Sequence, residues 1–421
     1  LPSLEERVLV VGTTGDYIDH IHKTQPGRTV FLIDPDPAYP IPSSGPDRQL
    51  RCRLTDPDHV VSRLRDFLTR NHIRLSGIAC FDCESLLIAA HIAQLWSLPF
   101  PSPQPVFNCR DKSRSKILWR KGGTPCPEAL LSHDVNEVLG FMEKTGSPVI
   151  LKPPTLSGSE LTFRCNDPDQ AVAAFRKIRE GLLFRRTDAT LNRDGLIDER
   201  VVLCEEYISG PEFSCDFILE GEVLEVVRVA AKYPLKDAPV GTTQAYEIPA
   251  GLPIGISIND LRRHLAEAVR SLGLIRCMGM ADFIVRDGQV QFLEITPRPG
   301  GDCLPQLIAQ SCGLDMLALH LDFAEGLPLD IPAAPLWRHL VALRLYAPND
   351  GRLRAIRLHR KWIEQEVLEE VWLKRPGDLI QLPPDDYQSW LLGHVIFRPD
   401  PDRPVEAQLR EVYQAVDIDI Q

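Results

Sequence analysis

Apolar residues in the first hundred positions gather into short continuous runs, and between the runs they recur at helical spacing. Val8 to Val11, Val30 to Ile33 and Ser76 to Cys80 read as strands. A segment from Asp16, His59 to Arg70 and Glu84 to Trp96 read as helices. Such runs alternating with amphipathic helices predict a small parallel α/β domain. Gly12-Thr13-Thr14-Gly15 follows the first strand but lacks the third glycine and the spacing of the dinucleotide fingerprint. It reads as a tight strand-to-helix turn. Pro99 to Pro105 holds four prolines in seven residues and reads as a first linker.

Beyond it, Asn108 to Gly123 carries Lys112 and Lys116 one helical turn apart, so both project from one face. A solvated basic face explains that spacing equally well. Val149 to Lys152 is a strand ending in lysine, followed by Thr155 to Glu160. The helix Pro168 to Glu180 comes next, then a polar stretch, Arg185 to Arg200, read as a surface insertion. Val201 to Cys204 runs into Glu205-Glu206-Tyr207-Ile208-Ser209-Gly210-Pro211-Glu212. Phe213 to Leu219 and Val223 to Ala230 form a hairpin around Glu220-Gly221, and Tyr233 to Gly255 reads as a mobile loop. Asp260 to Leu272 is a helix capped by Asn259 or Asp260, and further helices lie near Leu304 to Cys312 and Asp315 to Glu325. Prolines mark a second linker from Leu329 to Pro335. The tail has strand-like runs at His339–Tyr346, Leu353–Leu358, Val367–Leu373 and Val395–Arg398, and a closing helix at Val405–Val416.

The most informative pattern is Ala281 to Gly301. Two apolar-rich runs flank Asp287-Gly288, a strong hairpin signal. Alternation puts Phe283, Val285, Leu293 and Ile295 on one face and Asp282, Glu294 and Thr296 on the other. A three-residue connection, or Asp-Gly plus a one-residue bulge, sets Asp282 directly across from Glu294. A tight turn alone would put the two acids on opposite faces, so the looser arrangement is expected. Carboxylates held side by side repel and call for a cation between them. With hard oxygen ligands and phosphate nearby, that cation is Mg²⁺. Arg298 follows as a guanidinium that can hold transferring phosphate. Taken alone, the stretch is equally an ordinary hairpin with exposed acids. At 149–160, the small residues Ser157, Gly158 and Ser159 let backbone N–H groups close on phosphate oxygens, with Lys152 beside them as a point charge.

Composition excludes several classes. The 421 residues are 44% hydrophobic and 25% charged, as in ordinary globular proteins of two to four domains. A net charge of -11 gives a nucleic-acid partner no general support. No apolar run is long enough for a membrane span, and no charged-then-apolar leader is present. The eleven cysteines are scattered and set mostly in apolar runs, as expected for reduced thiols in a cytoplasm. Cys80-Phe81-Asp82-Cys83 is a lone CxxC without a second pair, and a metal or redox role there is not expected.

Four stretches now line up in order: Asp111-Lys-Ser-Arg-Ser-Lys116, Val149 to Lys152 with its Ser/Gly loop, Glu205 to Glu212, and Asp282 to Arg298. Their order and spacing resemble those of ATP-grasp ligases from about residue 5 to 325. Glu205 to Phe213 and the Asp-Lys-x-Arg-Ser-Lys start look much like D-alanine–D-alanine ligases. The tail, with Arg375 to Asp378 and Gly393 to Ile396, looks more like L-amino-acid ligases and biotin carboxylase relatives. The resemblance implies a multidomain α/β and α+β chain. Its parts would be an N-terminal parallel α/β domain (1–105), an ATP-grasp domain with central and catalytic subdomains (106–328, lid subdomain about 125–205), and a small α+β C-terminal domain (329–421). It also implies roles. Lys116 and Lys152 would hold the ATP phosphates from two sides. Glu205, Glu206, Tyr207 and Ile208 would face the adenine, with backbone groups of Glu205 and Ile208 bonding to it. Glu212 would take the ribose hydroxyls. Asp282 and Glu294 would bind Mg²⁺, with Glu294 bridging two ions, and Arg298 would stabilise the transferring phosphoryl group.

Two departures stand out. Thr296 replaces the family's usual asparagine, which makes one Mg²⁺ site weaker unless the hydroxyl reaches the metal, and Gly158 is the only glycine of the phosphate loop. The implied enzyme is a cytoplasmic, ADP-forming carboxylate–amine ligase, activating an amino acid or similar small acid as an acyl phosphate. Homodimers are common among such relatives. A kinase-like or carboxyphosphate-forming enzyme and a catalytically silent nucleotide-binding protein are the alternatives. His20, His22, Arg228, Lys232 and Arg276 are further pocket candidates, for each of which a surface or structural role is favoured.

Overall fold

The computed structural model describes residues 4–35, 48–146, 148–184, 201–332 and 336–421. The expected insertion at Arg185–Arg200 and residues 333–335 of the second linker lie outside them. Strands β1 (Glu5–Val11), β2 (Thr29–Ile33), β3 (Gln49–Arg51) and β4 (Ile73–Cys80) make an all-parallel sheet in the order β3-β2-β1-β4. Helices Gly15–Thr24 and Pro57–Arg70 connect its strands, Leu86–Trp96 follows β4, and every residue of β2 is buried. A sheet covered on both faces is what continuous apolar strands require. At Gly12 φ is +66°, and a Cβ there would stand 2.0 Å from Ser85 Oγ and 2.1 Å from Asp82 Oδ2. Only glycine lets the loop after β4 pack on that turn.

The expected linker at 99–105 is shorter than its prolines imply. Pro103 opens the helix Pro103–Arg110, where a missing N–H costs nothing. The helix Lys112–Lys121 follows, its first turn capped by the Asp111 carboxylate. Strands β5 (Ala129–Ser132), β6 (Val149–Lys152), β7 (Phe163–Cys165) and β8 (Val202–Glu206) form an antiparallel sheet ordered β5-β8-β6-β7, with helices Val135–Thr145 and Pro168–Phe184 packed on it.

The largest sheet has eight strands in the order β13-β12-β9-β10-β11-β14-β18-β16. Its members are β9 (Glu212–Glu220), β10 (Val223–Pro234), β11 (Thr243–Ile248), β12 (Arg276–Arg286), β13 (Gln289–Thr296), β14 (Leu340–Tyr346), β16 (Glu366–Trp372) and β18 (Leu391–Arg398). Strands β15 (Gly351–Leu358), β17 (Leu379–Ile380) and β19 (Val416–Ile420) pair separately. The tail strands therefore continue the sheet that carries Asp282 and Glu294. We propose residues 105 and 328 as domain boundaries, with this sheet running across the second.

Three expectations change. Tyr233–Gly255 is not one loop, because Thr243–Ile248 is a strand between β10 and β14. The helix Ile258–Ser271 is capped by Ser257, whose hydroxyl and backbone form a reciprocal box with Asp260. Leu293 does not share the buried face of Phe283, Val285 and Ile295. Phe292 and Val290 take that place in the core.

Candidate active site

The cause is a bulge. Arg286 pairs with Gln289, so Asp287-Gly288 is a two-residue turn, and Phe283 pairs with Phe292. Asp282 nevertheless pairs with Glu294, because Leu293 is the extra residue squeezed out between them. Of the two expected routes to facing acids, the Asp-Gly turn with a one-residue bulge is the one observed. The displaced Leu293 lines a cavity instead of the core.

That cavity, about 750 Å³, lies between the β5–β8 sheet and the eight-stranded sheet. A second, about 440 Å³, is walled by the N-terminal domain, the hairpin and the tail strands. Ser157, Gly158, Ser159, Lys232, Gly241, Thr242, Asp282 and Glu294 line both. The two chambers meet at the acid pair.

In the larger chamber, Lys152 Nζ donates to Glu205 Oε2 at 2.7 Å. Lys116 Nζ lies 3.8 Å from Glu205 Oε1, which is buried and accepts no hydrogen bond. Burial alone would raise the Glu205 carboxyl, but the Lys116 and Lys152 ammoniums hold it below its ordinary value. Burial, reinforced by the Lys152 charge, lowers Lys116 to about 8 despite Glu205. Lys116 does not line the chamber. It sits under the floor, donating to the carbonyls of Phe292 and Leu293 at 3.0 and 2.8 Å. The lysine of that helix that does line the chamber is Lys112, which donates to Leu156 O at 2.7 Å and lies 3.6 Å from Glu294 Oε2. Glu206, Tyr207, Ile208 and Glu212 line the same space, with Arg286 bound to Glu206 at 2.7 Å and Arg164 stacked 4.1 Å over Tyr207. Gly158 has φ +66°, and a Cβ at Gly241 would meet Ser159 Oγ at 2.5 Å. The Ser/Gly loop and the segment before β11 therefore touch over the junction.

At the junction stands Lys232, one of the pocket candidates for which the sequence favours a surface or structural role, and it lines both chambers. It donates to Asp282 Oδ2 at 2.8 Å and pairs with Glu212. Burial would lower its ammonium, but Asp282 and Glu212 raise it well above the ordinary lysine value, so it stays charged. Asp282 Oδ1 is buried and has no partner. Glu294 Oε1 accepts from Thr296 Oγ1 at 3.3 Å. Burial would raise Glu294 too, yet Lys112, Arg110, Lys152 and Arg298 bring it down to about 2. An orphaned carboxylate oxygen facing an ionised carboxylate, with a hydroxyl beside it, fits a hard cation such as Mg²⁺. Among the described residues no group of three or more His, Cys, Asp or Glu could hold a metal. Mg²⁺ takes one or two carboxylates and completes its shell with phosphate and water.

In the smaller chamber, Arg298 directs Nε and Nη2 at Cys83 Sγ (3.2 and 3.0 Å) and Nη1 at Pro299 O (2.7 Å). The CxxC thus holds an arginine, and both thiols are free. Gly300 is pinned by Asp216, whose Oδ1 accepts from its N–H at 2.7 Å and whose Oδ2 accepts from Arg228 Nε at 2.7 Å. A Cβ at Gly300 would stand 2.6 Å from Arg228. Arg228 is therefore structural. So are Arg276, bound to Glu220, Pro99 O and Phe323 O, and His20, bound to Asp315 at 2.9 Å. His22 packs edge-on against Phe31, away from either chamber.

Residues 145–306 match the ATP-grasp domain family. D-Alanine–D-alanine ligase of Paracidovorax citrulli is 28% identical over 251 residues, covering 56% of this chain and 69% of that protein. Among solved structures, L-amino acid ligase from Bacillus licheniformis superposes over 100% of both chains with a TM-score of 0.78 at 18% identity. The biotin carboxylase domain of Hydrogenobacter thermophilus 2-oxoglutarate carboxylase, solved with MgADP and bicarbonate, gives 0.67 at 14% identity, over 98% of this chain and 91% of that one. At such identities the superpositions establish the fold. The chain carries an ATP-grasp domain. It is an enzyme of the ADP-forming carboxylate–amine ligase class, and ATP and Mg²⁺ are the cofactors of that class. No helix among the described residues is long and apolar enough to cross a membrane.

Proposed function

We propose that the chain phosphorylates a small carboxylic acid, an amino acid or a close relative, and couples the acyl phosphate to an amine, releasing ADP and phosphate. The observation that carries this is the meeting of two chambers at Lys232, Asp282 and Glu294. A nucleotide in the larger chamber would present its terminal phosphate where the acid in the smaller one presents its carboxylate.

A carboxylate resists amines because its charge repels the nucleophile and oxide leaves poorly. Phosphorylation supplies a leaving group, and the protein's task is positioning and charge neutralisation. Lys152 and Lys112 would hold phosphate oxygens from one side, with Ser157 to Ser159 contributing backbone N–H groups. Lys116 would act through Glu205, fixing the hinge. Glu206, Tyr207 and Ile208 would border the adenine and Glu212 the ribose. Asp282, Glu294 and Thr296 would hold Mg²⁺, which screens charge on the transferring phosphate. Arg298, steered by Cys83, would face the acyl phosphate. The touching loops at Ser159 and Gly241 would keep water from hydrolysing it.

The experiment is a phosphate-release screen of acids with ATP and Mg²⁺, with hydroxylamine present to capture acyl phosphates. Hydroxamate from at least one small acid is expected. Phosphate release without hydroxamate from any acid would overturn the reading. We further propose a cytoplasmic homodimer, which sedimentation of the purified protein tests directly for its assembly.

A further inference from the structure

Lys232 stands between two carboxylates. Strand β10 lies beside β9 and β9 beside β12, with Lys232 directly across from Glu212. The Lys232 side chain is 8% exposed, pairs with Glu212 and donates to Asp282 Oδ2 at 2.8 Å. On β13, Glu294 Oε2 lies 3.6 Å from Lys112 Nζ. Each acid of the facing pair thus already meets an ammonium of the chain itself. Asp282 Oδ1, the other oxygen of the carboxylate that Lys232 holds, is buried and has no partner.

The charges decide what this cluster accepts. Three carboxylates (Glu212, Asp282, Glu294) and two ammoniums (Lys112, Lys232) leave it one negative charge. Lys152, held by Glu205 at 2.7 Å, borders the larger chamber, and Arg298 borders the smaller. A divalent cation added alone would turn the five groups net positive. On Asp282 Oδ1 it would also share one carboxylate with the ammonium on Oδ2, and like charges so close repel strongly where water is scarce. Mg²⁺ gives up its water reluctantly and is held by one or two carboxylates together with substrate phosphates. A triphosphate supplies the negative charge that the five side chains lack.

Resting on the ligase reading above, which assigns a cation to Asp282 and Glu294, we propose that Lys232 is a charge gate. Its ammonium keeps a free divalent cation off the acid pair and admits one only together with a nucleoside triphosphate. Metal and nucleotide binding are thereby coupled, and the coupling is reciprocal: each tightens the other by the same factor. A lysine that merely tied β9, β10 and β12 together would affect stability, and its loss would not improve metal affinity.

The test reads metal binding in place of turnover. Mn²⁺, standing in for Mg²⁺, is titrated against the full chain with and without a non-hydrolysable ATP analogue. Water-proton relaxation separates Mn²⁺ on the protein from Mn²⁺ on free analogue. The parent should hold Mn²⁺ beside the analogue and bind it weakly without. Lys232→Met should bind free Mn²⁺ about tenfold or more tightly than the parent does, the scale of an ordinary coupling between two ligands. Lys232→Gln should act in the same direction, so the result does not hang on one variant folding. Lys232→Arg keeps the charge and should stay as weak as the parent. Adding Asp282→Asn to Lys232→Met should abolish the gain. Free Mn²⁺ bound no more tightly by the neutral variants than by the parent would overturn the gate. So would a gain shared by Lys232→Arg, or one that survives Asp282→Asn. A parent that binds Mn²⁺ as tightly without the analogue as with it would overturn it with no variant at all. Failure of the parent to hold Mn²⁺ even beside the analogue would instead remove the metal from the acid pair and sink the ligase reading, a separate outcome.

Discussion

Asp282 stands directly across from Glu294 because Leu293, between Glu294 and Phe292, is bulged out of the β12–β13 ladder. The bulge does two jobs. It brings the acids to one face, and it exposes the carbonyls of Phe292 and Leu293 that Lys116 binds from below. A bulge at this place re-aims side chains that strict alternation would have separated.

Glu294→Gln should leave the fold intact and lower turnover by about 100-fold or more, because an amide cannot neutralise the cation as a carboxylate does. Thr296→Asn should preserve or tighten Mg²⁺ binding. Titration of activity against Mg²⁺ checks both. Near-parental activity with parental Mg²⁺ dependence in Glu294→Gln would remove the hairpin from the metal site.

The same carboxylate gives a pH signature. Its folded value of about 2 is below the ordinary 4.5, so the folded state binds fewer protons between them. The stability it contributes is complete above about pH 4.5 and lost as pH falls toward 2, on the order of 3 kcal/mol in all. Urea unfolding of the parent should therefore weaken more steeply across that window than that of Glu294→Gln. Equal slopes would mean the surrounding cations do not act on Glu294.

How far the hairpin could be read from sequence has a physical reason. Alternation, an Asp-Gly turn and the acids themselves are local features within twenty residues. The bulge, too, was one of the two ways to make them consistent. Lys232 was legible only as one pocket candidate among five, because its pairing comes from β10, β9 and β12 lying side by side, which brings Glu212 and Asp282 to one ammonium. Strand β11 was hidden by its flanking prolines and glycines, although Thr243, Ala245, Tyr246 and Ile248 are buried. The resemblance implies Lys116 as a phosphate ligand, but no sequence feature shows that its ammonium binds the carbonyls of Phe292 and Leu293 while Lys112 lines the chamber.

Lys152→Ala should weaken ATP by about 2–4 kcal/mol, since a phosphate counter-charge is lost in a closed site. The acid's affinity should change far less. Calorimetry separates the two, and equal ATP affinity in variant and parent would displace Lys152 from the phosphates. Lys112→Ala should also weaken ATP, while Lys116→Met should act mainly on stability, through the unpaired carbonyls and Glu205.

Cys83 offers a finer test of Arg298. Cys83→Ser keeps an acceptor for the guanidinium and should hold kcat within about threefold. Cys83→Val leaves two N–H groups without a partner, worth about 1–3 kcal/mol, and should lower kcat about tenfold with the KM for ATP unchanged. Equal kcat in the valine and serine variants would show that Arg298 is placed by other contacts.

The reaction itself is tested most directly by isotope transfer. If Asp282, Glu294 and Arg298 gather at the terminal phosphate, an acid labelled with ¹⁸O in its carboxylate attacks there and passes one label to the released phosphate, with ADP as the nucleotide product. Phosphate without label from the acid, or AMP and pyrophosphate among the products, would contradict the account.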